Sequence, residues 1–223
     1  MKLVAGGVLD AETVAWARAQ IDALTWRDGA ATAGAAARGV KRNEQADLST
    51  RAGQGLEALL RERILAHPVV ATAARPRTLS RLLVSRTGVG GGYGDHVDNA
   101  LMGPEGARFR SDLSFTLFLS DPDAYAGGGL TIEDALEDRT VRLGAGDLIL
   151  YPSGAPHRVE PVTEGVRLVC VGWIQSHVRD AAAREVLWDL ERVRAAWPAE
   201  ADPTARLTLD KAIGALLRRW AET

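Results

Sequence analysis

The stretch that decides the fold is Leu-Ser-Phe-Thr-Leu-Phe-Leu-Ser at residues 113–120. Large apolar side chains at Leu113, Phe115, Leu117 and Leu119 alternate in it with Ser, Thr, Phe and Ser. Alternate residues of a strand point to opposite faces of the sheet. The period of two therefore predicts a β-strand that is buried mainly on one face.

More short strands are predicted after this one, at close intervals and without helices between them. Their residues are 130–132, 140–143, 147–151 and 167–174. Asp-Pro at 121–122 and three consecutive glycines at 127–129 mark turns between the strands. This arrangement is typical of an antiparallel sandwich or barrel, such as a jelly roll.

The segments on both sides of these strands have the apolar period of helices. We predict an N-terminal helical region at 1–75 that packs on the barrel, a jelly roll at 76–177 and a C-terminal helical hairpin at 178–223. The hairpin has two apolar stripes, formed by Val186, Leu190, Val193 and Trp197 and by Leu209, Ile213, Leu216 and Trp220. These stripes pack either on the barrel or on a second copy of the chain, which would make a homodimer.

Composition excludes several classes of protein. The 223 residues carry 27 basic and 29 acidic side chains, a net charge of −2, which argues against a nucleic-acid-binding protein. No apolar run is long enough to span a membrane, and the N-terminus is too polar for a secretory signal. The single cysteine, Cys170, has no internal disulfide partner. We therefore expect a cytoplasmic protein that binds neither membranes nor nucleic acids.

Two histidines and one carboxylate are the candidate metal ligands. In extended backbone, His96 and Asp98 point to the same face, because one residue separates them. His157 lies 59 residues after Asp98 and follows the strand at 147–151. A jelly roll can bring it opposite the first pair. A His-x-Asp pair also occurs by chance, and His157 could be an ordinary loop residue. Their combination in a strand-rich region favours the 2-His-1-carboxylate site of non-haem Fe(II) oxygenases.

Arg167 is the candidate anchor for an acidic cosubstrate. An open iron site needs electrons to activate O2, and a 2-oxo acid that chelates the metal can provide them. Such a molecule has a distant carboxylate, which a guanidinium binds in a bidentate fashion. Arg167 lies ten residues after His157 at the start of the next predicted strand, although it could also be one more surface arginine.

Several motifs together resemble those of the bacterial PKHD-type hydroxylases, a branch of the prolyl-4-hydroxylase-like Fe(II)/2-oxoglutarate dioxygenases. They are YGDHVD at 93–98, LSFTLFLSDP at 113–122, AGDLILYPS at 145–153 and WIQS at 173–176. The resemblance extends over nearly the whole chain. It implies a double-stranded β-helix (jelly roll), Fe(II) bound by His96, Asp98 and His157, 2-oxoglutarate held by Arg167, and ascorbate as an additional cofactor.

The chain departs from the family pattern at three positions near this site. Thr87 stands where members carry a tyrosine, and prolyl-hydroxylase relatives use a tyrosine near there to hold 2-oxoglutarate, so Thr87 is the expected second cosubstrate contact. Gly129 replaces a glutamate in the family's Gly-Gly-Glu-Leu turn, and Asp95 replaces an aromatic residue. The segment from Leu101 to Arg110 is too irregular for a strand and is interpreted either as a flap over the substrate or as an ordinary connection.

The sequence thus predicts an Fe(II)- and 2-oxoglutarate-dependent dioxygenase that uses O2 to hydroxylate a small-molecule or protein substrate. His96, Asp98 and His157 are its predicted catalytic metal ligands. A cupin-like metal-binding sensor or isomerase is the alternative, and Arg167 argues against it, because a non-oxidative site has no general need of that residue. A third hypothesis makes the chain mainly an interaction protein that acts through its C-terminal hairpin.

Overall fold

The computed structural model describes residues 1–32, 38–198 and 202–223. Its α-helices are α1 (Ala11–Asp22), α2 (Arg51–Ala66), α3 (Ala181–Ala196) and α4 (Pro203–Trp220), with a π-helix at Val70–Ala74. The strands are β1 (Leu3–Ala5), β2 (Trp26–Asp28), β3 (Lys41–Arg42), β4 (Glu44–Ala46), β5 (Pro76–Leu79), β6 (Leu83–Thr87), β7 (Gly92–His96), β8 (Leu101–Met102), β9 (Phe109–Arg110), β10 (Leu113–Phe118), β11 (Tyr125–Gly127), β12 (Leu130–Ile132), β13 (Arg139–Val141), β14 (Leu148–Pro152), β15 (His157–Val159), β16 (Val162–Gly165) and β17 (Arg167–Ser176).

The larger sheet has the strand order β1-β14-β10-β17-β6-β4-β2, and β5 pairs with β17 at the other end of that long strand. All of these pairs are antiparallel. Phe115 and Leu117 on β10 pack in one apolar cluster with Ile21 of α1 and with Leu56 and Leu60 of α2. The two N-terminal helices therefore cover the outer face of this sheet.

The smaller sheet has the order β13-β12-β15-β7-β3. A second apolar cluster contains side chains from strands of both sheets, including Phe118, Val169, Leu130 and Ile132. Strand β10 is consequently buried on both faces, not mainly on one as its alternation predicts. Its even-numbered side chains, Ser114, Thr116 and Phe118, face the interior between the two sheets.

The first 75 residues contribute strands as well as helices. Strands β1, β2 and β4 extend the larger sheet at its two edges, and β3 extends the smaller one. These strands are two or three residues long, too short to produce a period that the sequence alone reveals.

The C-terminal hairpin forms a third apolar cluster with Leu187 and Ile213 at its centre. Helix α3 lies against the π-helix, and Arg75 next to that helix forms a 3.0 Å ion pair with Glu191. The predicted α4 stripe packs in this cluster. Most of the predicted α3 stripe does not, since Val186, Val193 and Trp197 are 46%, 47% and 38% exposed.

The segment from Leu101 to Arg110 forms a short hairpin of β8 and β9, so the prediction of no strand there was wrong. Arg110 anchors its end through ion pairs with Asp112 and Glu222. Among the described residues, no helix is both long and apolar enough to cross a bilayer.

Candidate metal centre

The two candidate histidines lie side by side on neighbouring strands. His96 ends β7 and His157 begins β15, and the antiparallel register pairs these two residues directly. Their ring centroids are 4.2 Å apart. Residues 61 positions apart in sequence thus become cross-strand neighbours on the interior face of the smaller sheet.

Asp98 completes the group from the segment that follows β7. Its Oδ2 lies 3.8 Å from Nε2 of His157. One ligand atom from each of His96, Asp98 and His157 lies within 4.8 Å of the other two. The three side chains are partly or fully buried, so the structure brings the predicted triad together at one enclosed point.

Backbone carbonyl groups set the orientation of both imidazole rings. Nδ1 of His96 lies 2.8 Å from the carbonyl oxygen of Gly94, and Nδ1 of His157 lies 2.9 Å from that of Ala155. A carbonyl oxygen only accepts hydrogen bonds, so each Nδ1 carries a proton and each Nε2 keeps its lone pair. Burial and the neighbouring His157 lower the pKa of His96 to about 4, which keeps this ring neutral, as a metal ligand must be.

Sequence reasoning missed Ser114, which holds Asp98, and Ser153, which contacts Ser114. The Ser114 hydroxyl donates to Asp98 Oδ2 at 2.6 Å, and Ser114 Oγ lies 2.8 Å from Ser153 Oγ. Since a carboxylate takes the one proton of Ser114, the Ser153 hydroxyl donates to Ser114. The signal was present in the alternation of β10, where the small polar residues Ser114 and Thr116 are on the face opposite Leu113, Phe115 and Leu117.

Tyrosine rings pack against both histidines. Tyr93 stacks on His96 with centroids 3.6 Å apart, and Tyr151 meets His157 edge-on at 5.0 Å. Burial raises the pKa of Tyr93 to about 12, and the Asp98 charge acts in the same direction. Lys41 of β3 places its ammonium 5.2 Å from the Tyr93 ring centroid, a contact that sequence reasoning also missed.

Arg167 and Thr87 are direct cross-strand partners on β17 and β6, and each is 3% exposed. Both line the cavity that also contains the three candidate ligands. Among the residues that the structure describes, the buried Nε of Arg167 has no hydrogen-bond acceptor. The guanidinium carbon lies 5.4 Å from the Phe118 ring centroid. A buried cation with an unused donor fits an acidic ligand that enters this cavity.

The other two departures from the family pattern lie outside the triad. Asp95 is exposed and pairs with Arg158 at 3.5 Å. At Gly129, a Cβ atom would lie 2.6 Å from Cγ2 of Thr140 and 3.3 Å from the Glu160 carboxylate. Glu160 thus brings a carboxylate next to the position where the family has one.

The sequence of the chain is similar to those of known proteins. Residues 82–175 match the family model of the 2OG-Fe(II) oxygenase superfamily. The chain is 45% identical over 222 residues to a PKHD-type hydroxylase of Hyphomonas neptunium, with 99% of each chain covered. It is 43% identical over 223 residues to a PKHD-type hydroxylase of Synechococcus elongatus, with both chains fully covered.

Solved structures share the fold at much lower identity. A Pseudomonas putida prolyl-4-hydroxylase has a TM-score of 0.52 and 21% identity, covering 78% of this chain and 92% of its own. HygX from Streptomyces hygroscopicus, solved with nickel, 2-oxoglutarate and hygromycin B, has a TM-score of 0.54 and 17% identity, covering 77% and 81%. The predicted jelly roll with flanking helices is confirmed. Because its sequence matches curated members over essentially its full length, the chain belongs to the PKHD-type hydroxylases, within the 2OG-Fe(II) oxygenase superfamily.

Proposed function

We propose that His96, Asp98 and His157 hold the Fe(II) of this 2-oxoglutarate-dependent oxygenase, and that Arg167 and Thr87 hold its cosubstrate. The observation that carries the proposal is the commitment of both Nδ1 protons to backbone carbonyls. This leaves the two Nε2 lone pairs available for a metal, and one ligand atom from each of the three side chains lies within 4.8 Å of the other two, which supports the proposal. This donor set suits Fe(II) and leaves the remaining coordination positions open.

The protein's own residues hold, orient and enclose the reactants. Fe(II) and 2-oxoglutarate together supply the chemistry, in which O2 is consumed, 2-oxoglutarate becomes succinate and CO2, and a substrate C–H bond is hydroxylated. The anionic Asp98 would balance part of the metal charge, and the two neutral imidazoles would add no charge. Ser114 holds the Asp98 carboxylate in place, and the apolar cluster around Phe118 and Val169 keeps water from the interior.

Arg167 supplies a fixed positive charge for the distant carboxylate of the cosubstrate. Arg167 is 3% exposed, and among the described residues its Nε has no hydrogen-bond acceptor. Both observations support this role. Thr87, opposite Arg167 in the register, would contribute a hydroxyl to the same carboxylate. Its side chain is shorter than the tyrosine of relatives, so most of the cosubstrate affinity would come from Arg167.

Anaerobic titration tests the proposal. Protein with Fe(II) should give a visible charge-transfer band when 2-oxoglutarate is added under argon, and succinate when air is admitted. Arg167→Ala should raise the 2-oxoglutarate requirement about 100-fold, because a bidentate charged contact is lost. Arg139→Ala, at an exposed edge strand, is the matched control and should change nothing. Absence of both the band and succinate would favour the metal-binding sensor or isomerase instead.

We also propose four further properties of this oxygenase. They are the use of ascorbate as an additional cofactor that sustains turnover, a small-molecule or protein substrate, a cytoplasmic location without nucleic-acid or membrane partners, and a homodimeric state. The exposed Val186 and Val193 on α3, and Trp197 directly after this helix, support the dimer. Sedimentation analysis of the wild type and of Trp197→Glu tests the dimer, which a monomeric wild type would exclude.

A further inference from the structure

We propose that Tyr151 is a cosubstrate-binding residue of this oxygenase, and that its hydroxyl donates a hydrogen bond to the distant carboxylate of 2-oxoglutarate beside Arg167. The inference rests on the proposed function and adds a binding residue to the same site. It starts from the position of the Tyr151 side chain, which lines the cavity together with Arg167 and the three candidate metal ligands.

Tyr151 enters the interior from β14 of the larger sheet. This strand pairs with β10, and the register places Tyr151 opposite Ser114. The tyrosine is 4% exposed and belongs to the apolar cluster between the two sheets. Its ring meets the ring of His157 edge-on, with centroids 5.0 Å apart. The ring is therefore held beside a proposed iron ligand, and its hydroxyl lies inside the protein.

Strand β10 sets the order of the polar groups along the cavity. Ser114 holds Asp98 at the metal end, and at the other end the Arg167 guanidinium lies 5.4 Å from the Phe118 ring centroid. Thr116 lies between Ser114 and Phe118 on the same face of the strand. Alternate residues of a strand are about 6.8 Å apart, so Ser114 and Phe118 are separated by roughly 13 Å. A molecule that chelates a metal at Asp98 and reaches Arg167 has to pass the level of Thr116.

The Tyr151 hydroxyl lies at this middle level. Tyr151 and Thr116 are diagonal neighbours across β14 and β10, a separation that an aromatic side chain can span. Burial raises the pKa of the Tyr151 hydroxyl, and the Asp98 charge acts in the same direction. A hydrogen bond from Thr116 and the charge of Arg167 lower the same pKa. The hydroxyl thus interacts with groups at both ends of the cavity.

A buried carboxylate needs more donors than Arg167 provides. Each carboxylate oxygen accepts about two hydrogen bonds, and a bidentate guanidinium supplies one to each oxygen. Burying an unpaired acceptor costs free energy, so further donors at this end stabilise the bound cosubstrate. Thr87 can supply one from β6. Because Thr116 donates to the oxygen of Tyr151, the Tyr151 hydroxyl keeps its one proton for the carboxylate.

Two probe acids separate the distant carboxylate from the rest of the cosubstrate. They are 2-oxoglutarate and 2-oxovalerate, which has the same five-carbon chain without that carboxylate. Each is titrated under argon into protein loaded with Fe(II), and the visible charge-transfer band gives its Kd. The ratio of the two Kd values measures the preference for 2-oxoglutarate.

Tyr151→Phe should lower this preference roughly tenfold, because a hydrogen bond to a charged group is lost. The loss should come from weaker binding of 2-oxoglutarate, with the Kd of 2-oxovalerate unchanged. Thr116→Val removes the donor to the Tyr151 oxygen and should lower the preference about threefold. Thr163→Val is the matched control, since it removes an exposed hydroxyl from β16, and it should leave the preference as in the wild type.

The outcomes distinguish this inference from the proposed function. A wild type that gives no band, or that binds both acids equally, would contradict the proposed function, and the inference with it. If the wild type prefers 2-oxoglutarate, an unchanged preference in Tyr151→Phe would overturn the role of Tyr151 alone. Equal losses for both acids would also overturn it, because the hydroxyl would then act at the metal end or through packing. Urea unfolding shows whether Tyr151→Phe is folded. If it is not, Thr116→Val decides, and a wild-type preference in that variant would overturn the inference.

Discussion

Replacing Ser114 with alanine should weaken metal binding without removing any metal ligand. The serine lies on β10, and its hydroxyl is the 2.6 Å donor to Asp98 Oδ2. Both side chains are well shielded from solvent, with Ser114 1% exposed and the Asp98 side chain 10% exposed. The change deletes one oxygen atom and leaves the backbone of the central strand intact.

The magnitude follows from the type of hydrogen bond. A hydrogen bond to a charged group is worth about 1.5–3 kcal/mol. Since about 1.4 kcal/mol corresponds to a factor of ten, the Kd for Fe(II) should rise roughly 10- to 100-fold. Ser153→Ala is the matched control, because Ser153 contacts Ser114 and leaves the Ser114–Asp98 bond in place. Its effect on the metal Kd should stay below about fivefold.

Competition with a chromophoric chelator under argon measures the Kd for Fe(II) in both variants. Urea unfolding of the metal-free proteins shows separately whether each variant remains folded. A folded Ser114→Ala protein with the wild-type Kd for Fe(II) would refute the reasoning. Equal losses in the two variants would also refute it, because the effect would then come from repacking of the strand.

Three further predictions concern the protein around the site. Glu191→Ala should lower the free energy of unfolding in urea by about 3 kcal/mol, because it leaves the partly buried Arg75 without its 3.0 Å partner; a change within error would contradict this. Burial raises the pKa of the Cys170 thiol, so Ellman's reagent should react with it only after denaturant is added, and rapid reaction in native buffer would show that the strand is accessible. Gly127→Ala should greatly reduce the yield of folded protein, since φ is +68° and the new Cβ would lie 2.2 Å from the Pro161 carbonyl oxygen; Gly154→Ala, with nothing within 4 Å, should express as the wild type does.

Local patterns were enough to predict the main elements of the fold. The alternation at 113–120 predicted β10, and the runs that follow it predicted β12, β14 and β17, because side-chain period depends on each segment's own backbone geometry. The same alternation led to one wrong prediction, that β10 is buried mainly on one face. The second face is also buried because the smaller sheet lies opposite it, and a local pattern cannot show this.

The N-terminal strands could not be predicted in this way. Strands β1, β2, β3 and β4 are short, and they exist because edges of the two sheets offer them hydrogen bonds. On α3 most of the predicted apolar stripe is exposed in the single chain, and Leu187 lies on the face that packs against the protein. There the ion pair of Glu191 with Arg75 and the packing of Leu187 decide which side faces the protein.

For the candidate site, the sequence by itself determined which groups could bind a metal and an acidic cosubstrate. His96 and Asp98 are two residues apart, so in extended backbone they point to the same face of the strand. The chemistry of imidazole, carboxylate and guanidinium then limits what these groups can bind. Tertiary structure alone decided which other side chains reach the same point. Lys41 and Ser114 come from strands far apart in sequence, and each contacts the site through cross-strand pairing or packing. Contacts of this kind depend on the register between distant segments, which no local period encodes.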